Sequence, residues 1–443
     1  MVKVITYGTY DLLHRGHIRL LERAKALGDY LIVGVTADGF DRARGKINVQ
    51  QSLMERIEAV KATGLVDEII VEEYEGQKID DIRRYGVDVF TVGSDWKGHF
   101  DYLNEYCKVI YLERTQGVSS SELRSEEKRI RLGLVGESNI VNKFERESHF
   151  VNGLTISGVC TQNGSLLNNE VKQLPIVTTK IEELINVSDA LYIISSPQYH
   201  YQQIKQALLK KVHVLCESPV TTNVDQWEEL AQIASDNGCI LMESIKTAYS
   251  MAYYRMLLLV KTGIIGKIIS VDAVCTSMRD FTEANISGWN SICAWGPTAL
   301  LPIFQLLGTD YIKKDIISHI MEGTDDYDLF TKVPLIYKDA IASMKVGQGA
   351  KSEGELIISG TKGYIYVPAP WWKTDYFEVR FENPADNKRY FYQLEGEGIR
   401  YEMVSFLNSI HEKRSISYVD AHVTRAIISL IQDYYSKNNL FLI

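Results

Sequence analysis

The chain lacks the marks of several broad protein classes. No apolar run reaches the length needed to cross a bilayer, and the amino terminus does not read as a secretory leader. Positive charge is in deficit. The formal net charge of −9 argues against nucleic acid or an anionic membrane surface as the main partner. Six cysteines (Cys107, Cys160, Cys216, Cys239, Cys275 and Cys293) are scattered without a CxxC pair or a Cys/His cluster. That speaks against a zinc site or a disulfide frame and for reduced thiols in a cytoplasmic protein. No segment is of low complexity, no repeat of solenoid period occurs, and no dense carboxylate cluster marks a metal site.

What is present is an ordinary soluble composition, 45% hydrophobic and 24% charged over 443 residues, enough for two or three domains. The most informative segment is GTYDLLHRGH, Gly8 to His17. It follows the β-branched run Val2 to Thr6 and opens a stretch with Ile18, Leu20, Leu21, Ala24 and Leu27 on helical spacing, so it reads as strand, tight turn, helix. Gly8 lets the backbone approach a phosphate, Thr9 adds a hydroxyl, and the helix amino end offers free amides and a positive dipole. His14 and His17, three apart, can aim both imidazoles at one anionic centre. The plainer alternative is a helix cap and a half-buried core residue; the strand before and the helix after favour phosphate. Further on, RTQGVSSS (Arg114 to Ser121) follows the strand-like Lys108 to Leu112. Its serines can cap a new helix while the amides face a second anion, and Arg114 offers a fork for phosphate oxygens.

Together with VDEII (Val66 to Ile70) and VDVFTVGSDW (Val87 to Trp96), these motifs resemble the glycerol-3-phosphate cytidylyltransferases of the HxGH nucleotidyltransferase superfamily. The resemblance covers about residues 1 to 128. It implies a Rossmann-like α/β domain that joins CTP to a phosphorylated alcohol, releases pyrophosphate, and feeds a capsule, teichoic acid or related surface polymer. It puts His14 and His17 on the α-phosphate and the bridging oxygen, and Arg114, Ser119 and Ser120 on the β- and γ-phosphates. Lys46, in the stretch Asp41 to Gln51, would close over them. Gly8, Thr9, Tyr10, Gly16, Gly93, Asp95 and Thr115 would surround the nucleotide, and Asp11 and Lys78 the acceptor. Mg2+ would bridge the phosphates, with most of its ligands from the triphosphate. Relatives using glycerol phosphate or choline phosphate carry an arginine just before the VDE segment; here Gly64 stands near that place. Either Lys61 or Arg56 compensates, or the acceptor is another polyol or acid phosphate.

From Ile130 strand-like and helix-like runs alternate: IRLGLVG, LTISGVCT, ALYIISSP, KKVHVLCESPVT and CILMES, the mark of a doubly wound parallel sheet. From Lys267 the pattern turns strand-rich, predicting a mostly antiparallel sheet with a closing helix from about Asp420. Expected domains are therefore 1–128, 129–248 and 249–443, with α/β architecture overall. PQYH after the fourth strand and HVLCESPVT after the next resemble the glucose-fructose oxidoreductase and inositol dehydrogenase family, which binds NAD or NADP.

The residues that hydride transfer needs are missing. The phosphate turn reads GESNIV, with Ser138 and Val141 where small residues belong, and the second strand ends in Thr161 and Gln162 without an acid for the ribose. Ser218 replaces the lysine of the EKP motif, and Ala294 and Thr298 replace the Asp-x-x-x-His pair. The expectation is a degenerate dehydrogenase-like half in which NAD(P) binding is open but not tied to catalysis. It would serve assembly, with a homodimer expected, or bind a ligand in a residual cleft; Tyr199, His200, His213 and Glu217 could line one, though isolated residues of this kind are more often structural. The alternative is a bifunctional NAD(P)-dependent reductase and cytidylyltransferase.

Overall fold

Val4 and Ile5 have no exposed surface, because successive residues of the first strand face opposite sides of a sheet covered on both. A computed structural model describes residues 1–37, 49, 51, 53–73, 76–113, 129–136, 140–151, 153–279, 289–392, 394 and 396–443. The chain forms two compact units, Met1–Arg129 and Ile130–Ile443.

In the first unit the elements run β1 (Lys3–Gly8), α1 (Arg15–Lys25), β2 (Tyr30–Thr36), α2 (Leu53–Ala62), β3 (Glu68–Glu72), α3 (Gln77–Tyr85), β4 (Val89–Gly93) and β5 (Lys108–Leu112). Among the described residues the sheet is parallel, in the order β3-β2-β1-β4-β5. Val4, Leu31, Val33 and Val35 pack under Leu21 and Ala24 of α1 and Val60 of α2. Ile5, Ile32 and Phe90 pack on the other side with Ile82 of α3 and Leu103. Burying Leu21 alone contributes about 1.5–3 kcal/mol. The strand order reverses between β1 and β4, registered Val4 to Val89 and Thr6 to Thr91, so a crevice opens at their carboxyl ends.

The second unit begins with a parallel sheet in the order β11-β10-β9-β6-β7-β8, among the described residues. Its strands are β6 (Ile130–Val135), β7 (Leu154–Cys160), β8 (Val177–Thr178), β9 (Ala190–Ile193), β10 (His213–Glu217) and β11 (Leu241–Ser244). The main helices are α4 (Ile140–Ser148), α5 (Pro197–Leu209) and α6 (Val224–Asn237). The larger sheet that follows has ten strands among the described residues, from β12 (Ile268–Thr276) to β21 (Leu440–Leu442). It is mostly antiparallel, but β12 pairs parallel with β16 (Ile341–Gly347) and β14 (Ile316–Ile320) pairs parallel with β21. Three long helices cover it or close the unit: α7 (Ser291–Leu307), α8 (Ile399–Glu412) and α9 (Ala421–Tyr435).

Candidate active site

The loop after β1 is set by two residues with left-handed backbone, Tyr10 (φ 55°) and Leu12 (φ 48°). Such conformations cost bulky residues energy and persist only where the surroundings hold them. The glycine contributes differently from the expectation: a Cβ on Gly8 would meet the Tyr10 ring at 3.0 Å. Its bareness makes room for that ring, which is nearly fully buried. His14 is the N-cap of α1, its Nδ1 accepting from the Gly16 amide at 3.0 Å. The cap reading and the phosphate reading therefore concern the same side chain. His14 and His17 stack with ring centroids 3.9 Å apart, and the Tyr10 ring meets His17 edge-on at 5.5 Å. Two imidazoles this close to a helix amino end favour an anion beside them.

Arg56 of α2 has no exposed surface. Its guanidinium donates to the carbonyls of Thr9 (2.7 Å), Thr36 (2.9 Å) and Gln51 (3.2 Å). It ties the turn after β1 to the end of β2 and does not stand open where Gly64 leaves an arginine out. Gln51 fastens the same turn: its amide donates to Asp11 Oδ1 (3.0 Å) and its side chain accepts from the Leu12 amide (2.8 Å). Lys61 sits on the exposed side of α2, and Gly64 takes a left-handed turn (φ 69°) with open space where a Cβ would be.

Lys78, in the first turn of α3, is buried. Its ammonium pairs with the Glu72 carboxylate at the end of β3 and lies 4.7 Å from the Tyr7 ring centroid and 5.5 Å from that of Phe100. Glu72 also accepts from the Thr36 hydroxyl at 3.0 Å. Beside this pair, the Tyr7 hydroxyl donates to Asp81 at 2.8 Å, and Gln77 donates to both Asp81 and the Val71 carbonyl. Burial and the neighbouring Asp81 and Glu72 push the Tyr7 hydroxyl far up, so it stays protonated as the donor.

The structure thus gathers Gly8, Thr9, Tyr10, Asp11, His14, Gly16 and His17 at the end of β1, with Gly93 ending the adjacent β4. Asp95 lies in the turn Ser94–Trp96 that follows. Lys46, Arg114, Thr115, Ser119 and Ser120 lie outside the described residues. Nothing in the residues alone marks the roles of Thr36, Gln51 and Glu72; Thr36 and Glu72 show only as polar residues ending apolar strand runs, and Gln51 carries no such signal.

The Cytidylyltransferase-like family matches residues 5–126. Over 126 residues the chain is 50% identical to the glycerol-3-phosphate cytidylyltransferase of Bacillus spizizenii, covering 97% of that protein and 28% of this one. The chain belongs to this family. It is a nucleotidyltransferase by its first unit. The Staphylococcus aureus glycerol-3-phosphate cytidylyltransferase is 47% identical over 130 residues, with 95% of it and 28% of this chain covered. Residues 130–245 match the Oxidoreductase family, NAD-binding Rossmann fold, so the cytidylyltransferase is fused to an oxidoreductase-type unit. A 3-ketoreductase from Actinomadura kijaniata, solved with NADP, shares the fold at a TM-score of 0.62 and 15% identity, covering 71% of this chain and 99% of that one.

In that second unit the positions relevant to hydride chemistry are held in local contacts to different degrees. Ser218 is buried and donates to the Glu243 carboxylate, and Tyr192 donates to Glu217. Ala294 and Thr298 lie within α7, capped by Asn290. Thr161 is buried and Gln162 donates to the Thr179 carbonyl; Ser138 lies outside the described residues. Of the two readings of Tyr199, His200, His213 and Glu217, the structural one holds for His200 on α5 and for His213 and Glu217 at the ends of β10. His200 is fully buried with its ring nitrogens on the carbonyls of Ser195 (2.6 Å) and Pro219 (2.9 Å), and burial pulls its pKa down. His213 and Glu217 stand at opposite ends of β10, about 13 Å apart at 3.3 Å per residue. An open cleft of about 360 Å³ lies elsewhere, lined by Pro197, Gln198, Thr222, Asn290, Tyr327 and Tyr435. No described helix is long and apolar enough to cross a membrane.

Proposed function

We propose that the first unit transfers a cytidylyl group from CTP to glycerol-3-phosphate or a similar polyol phosphate, giving a CDP-polyol and pyrophosphate. The observation that carries this reading is the stacked pair His14 and His17 over the crevice between β1 and β4. A phosphate oxygen of the acceptor attacks the α-phosphorus of CTP in line. The bond from that phosphorus to the oxygen bridging to the β-phosphate breaks, and pyrophosphate leaves with the electron pair. No proton need move, so the residues act by orientation and by hydrogen bonds that strengthen as charge builds on the leaving oxygen. His14 and His17 serve the α-phosphate and that bridging oxygen; Lys46, Arg114, Ser119 and Ser120 serve the β- and γ-phosphates; Lys78 serves the acceptor phosphate. Among the described residues no three His, Cys, Asp or Glu side chains gather to hold a metal. In this reading magnesium would bridge the phosphates, with the triphosphate supplying most of its ligands.

For the second unit we propose a dehydrogenase fold, with domains at 129–248 and 249–443, that serves homodimer assembly or ligand binding without hydride transfer, the whole working in the cytoplasm. Support comes from Ser218, Ala294 and Thr298, none of which exchanges a proton at neutral pH. The deciding assay is pyrophosphate release from Mg–CTP with a panel of polyol phosphates, run beside oxidation of NADPH by phosphorylated keto sugars. Turnover in the first and silence in the second is the expected pair. NADPH consumption would establish the bifunctional alternative, and silence in both would remove the reading altogether.

A further inference from the structure

The ammonium of Lys78 on α3 is held in a buried setting built from β3, β1 and the ring of Phe100. Glu72 at the end of β3 pairs with it, the ring of Tyr7 on β1 lies under it, and the ring of Phe100 lies beside it. The setting is continuous with the histidine turn. Thr36 donates its hydroxyl to Glu72, the Thr36 carbonyl takes Arg56, and Arg56 takes the Thr9 carbonyl next to Tyr10. Tyr10 in turn meets His17, and the Glu72 charge is close enough to add to the raised pKa of the Tyr10 hydroxyl. A lysine has a long flexible stem, and its charge alone does not fix its position. A buried carboxylate with one oxygen on Lys78 and the other on Thr36 does fix it.

The same carboxylate repels a phosphate dianion. Between groups as buried as these, such repulsion is weakly screened. Glu72 therefore has two opposed effects on an anion that approaches Lys78: it aims the ammonium, and it competes for it. The aiming effect dominates where the carboxylate is itself neutralised, and here Glu72 faces both the Lys78 ammonium and the Thr36 hydroxyl.

We infer that Glu72 is a positioning residue for the acceptor: it holds the Lys78 ammonium at the place where a polyol phosphate docks, through a buried network shared with the histidine turn. This rests on the proposed cytidylyl transfer to a polyol phosphate. Glu72 touches no reacting atom and acts through Lys78.

Steady-state kinetics on the full chain, with Mg–CTP and glycerol-3-phosphate varied in turn, tests it. Glu72→Gln keeps an oxygen for Thr36 but removes the negative charge that faces the Lys78 ammonium. The expected result is a rise of tenfold or more in KM for the acceptor, with KM for CTP and kcat changed less than threefold. Lys78→Met should raise the acceptor KM as well, and adding Glu72→Gln to Lys78→Met should change nothing more. An unchanged acceptor KM in Glu72→Gln overturns the inference, as does an additive double variant. A parallel loss in both KM values and kcat overturns it too, since that is what a merely structural residue would give. If Glu72→Gln does not fold, Thr36→Val frees one side of Glu72 with both charges kept; it should raise the acceptor KM about threefold, and no rise sinks the idea. Wild-type turnover on the acceptor is the control that separates the two readings: its absence on every polyol phosphate overturns the proposed function itself.

Discussion

The imidazoles of His14 and His17 lie face to face, their ring centroids 3.9 Å apart and their planes 20° from parallel. Removing one of the pair should separate fold from chemistry. His17→Ala is expected to lower kcat about 10²–10³-fold, the usual loss when one donor to a developing oxyanion goes. His14→Asn keeps a good helix cap and should melt with the wild type while losing activity, whereas His14→Ala loses about 1 kcal/mol of cap as well. Thermal melts beside pyrophosphate release check all three. An active His14→Asn variant would show that the imidazole serves only as a cap.

Arg56 is a structural strut of the site. Arg56→Met leaves the carbonyls of Thr9, Thr36 and Gln51 without their buried donor, each at a cost of about 1–3 kcal/mol. The expected outcome is a markedly lower melting temperature and a weakened CTP affinity measured by titration. A variant with wild-type stability would mean that water replaces the guanidinium there.

Gly64 is the position where an anchor can be put back. Gly64→Arg forces a side chain into left-handed backbone at about 1–2 kcal/mol but meets no neighbour. If glycerol-3-phosphate is the acceptor, its KM should fall while that for CTP holds. A rise in the acceptor KM would point to a different polyol phosphate, one that needs the space.

Much of this fold was legible in the sequence. Unbroken apolar runs such as Tyr30–Thr36 and Ala190–Ile193 identify strands buried on both faces, and α1 follows from Ile18, Leu21 and Ala24 on one helical face. The antiparallel expectation for the large sheet held for most pairs, yet β12 against β16 is parallel, because pairing partners distant in sequence leave no local signal. The helix α7 was masked by Pro297 and Pro302, which break helical propensity yet lie buried within it. At the site, the motif residues were readable, but Arg56, Thr36 and Glu72 act through tertiary hydrogen bonds that no spacing encodes. His213 and Glu217 stand at opposite ends of one extended strand, in keeping with the structural reading of these isolated residues.

The second unit carries its own pH dependence. Glu402 of α8 has no exposed surface, and neither carboxylate oxygen has a hydrogen-bond partner among the described residues. Burial, with Glu217 nearby, raises its pKa from 4.5 to about 8. Between those values the folded chain holds a proton that the unfolded chain has lost, so the contribution to stability is complete below about 4.5 and is lost as the pH rises towards about 8. Glu402→Gln imitates the protonated form. Its melting temperature relative to wild type should climb across that interval, and a flat difference across it would exclude Glu402 as the source.

The hydrogen bond from the Gly16 amide to His14 Nδ1 carries one more consequence. An amide can donate only to a nitrogen that bears no hydrogen, so while the helix stands, the ring proton of His14 is on Nε2, the nitrogen pointing away from the cap. The backbone thereby selects the tautomer. His14 thus offers its ligand a ring N–H on the nitrogen that the cap leaves outward.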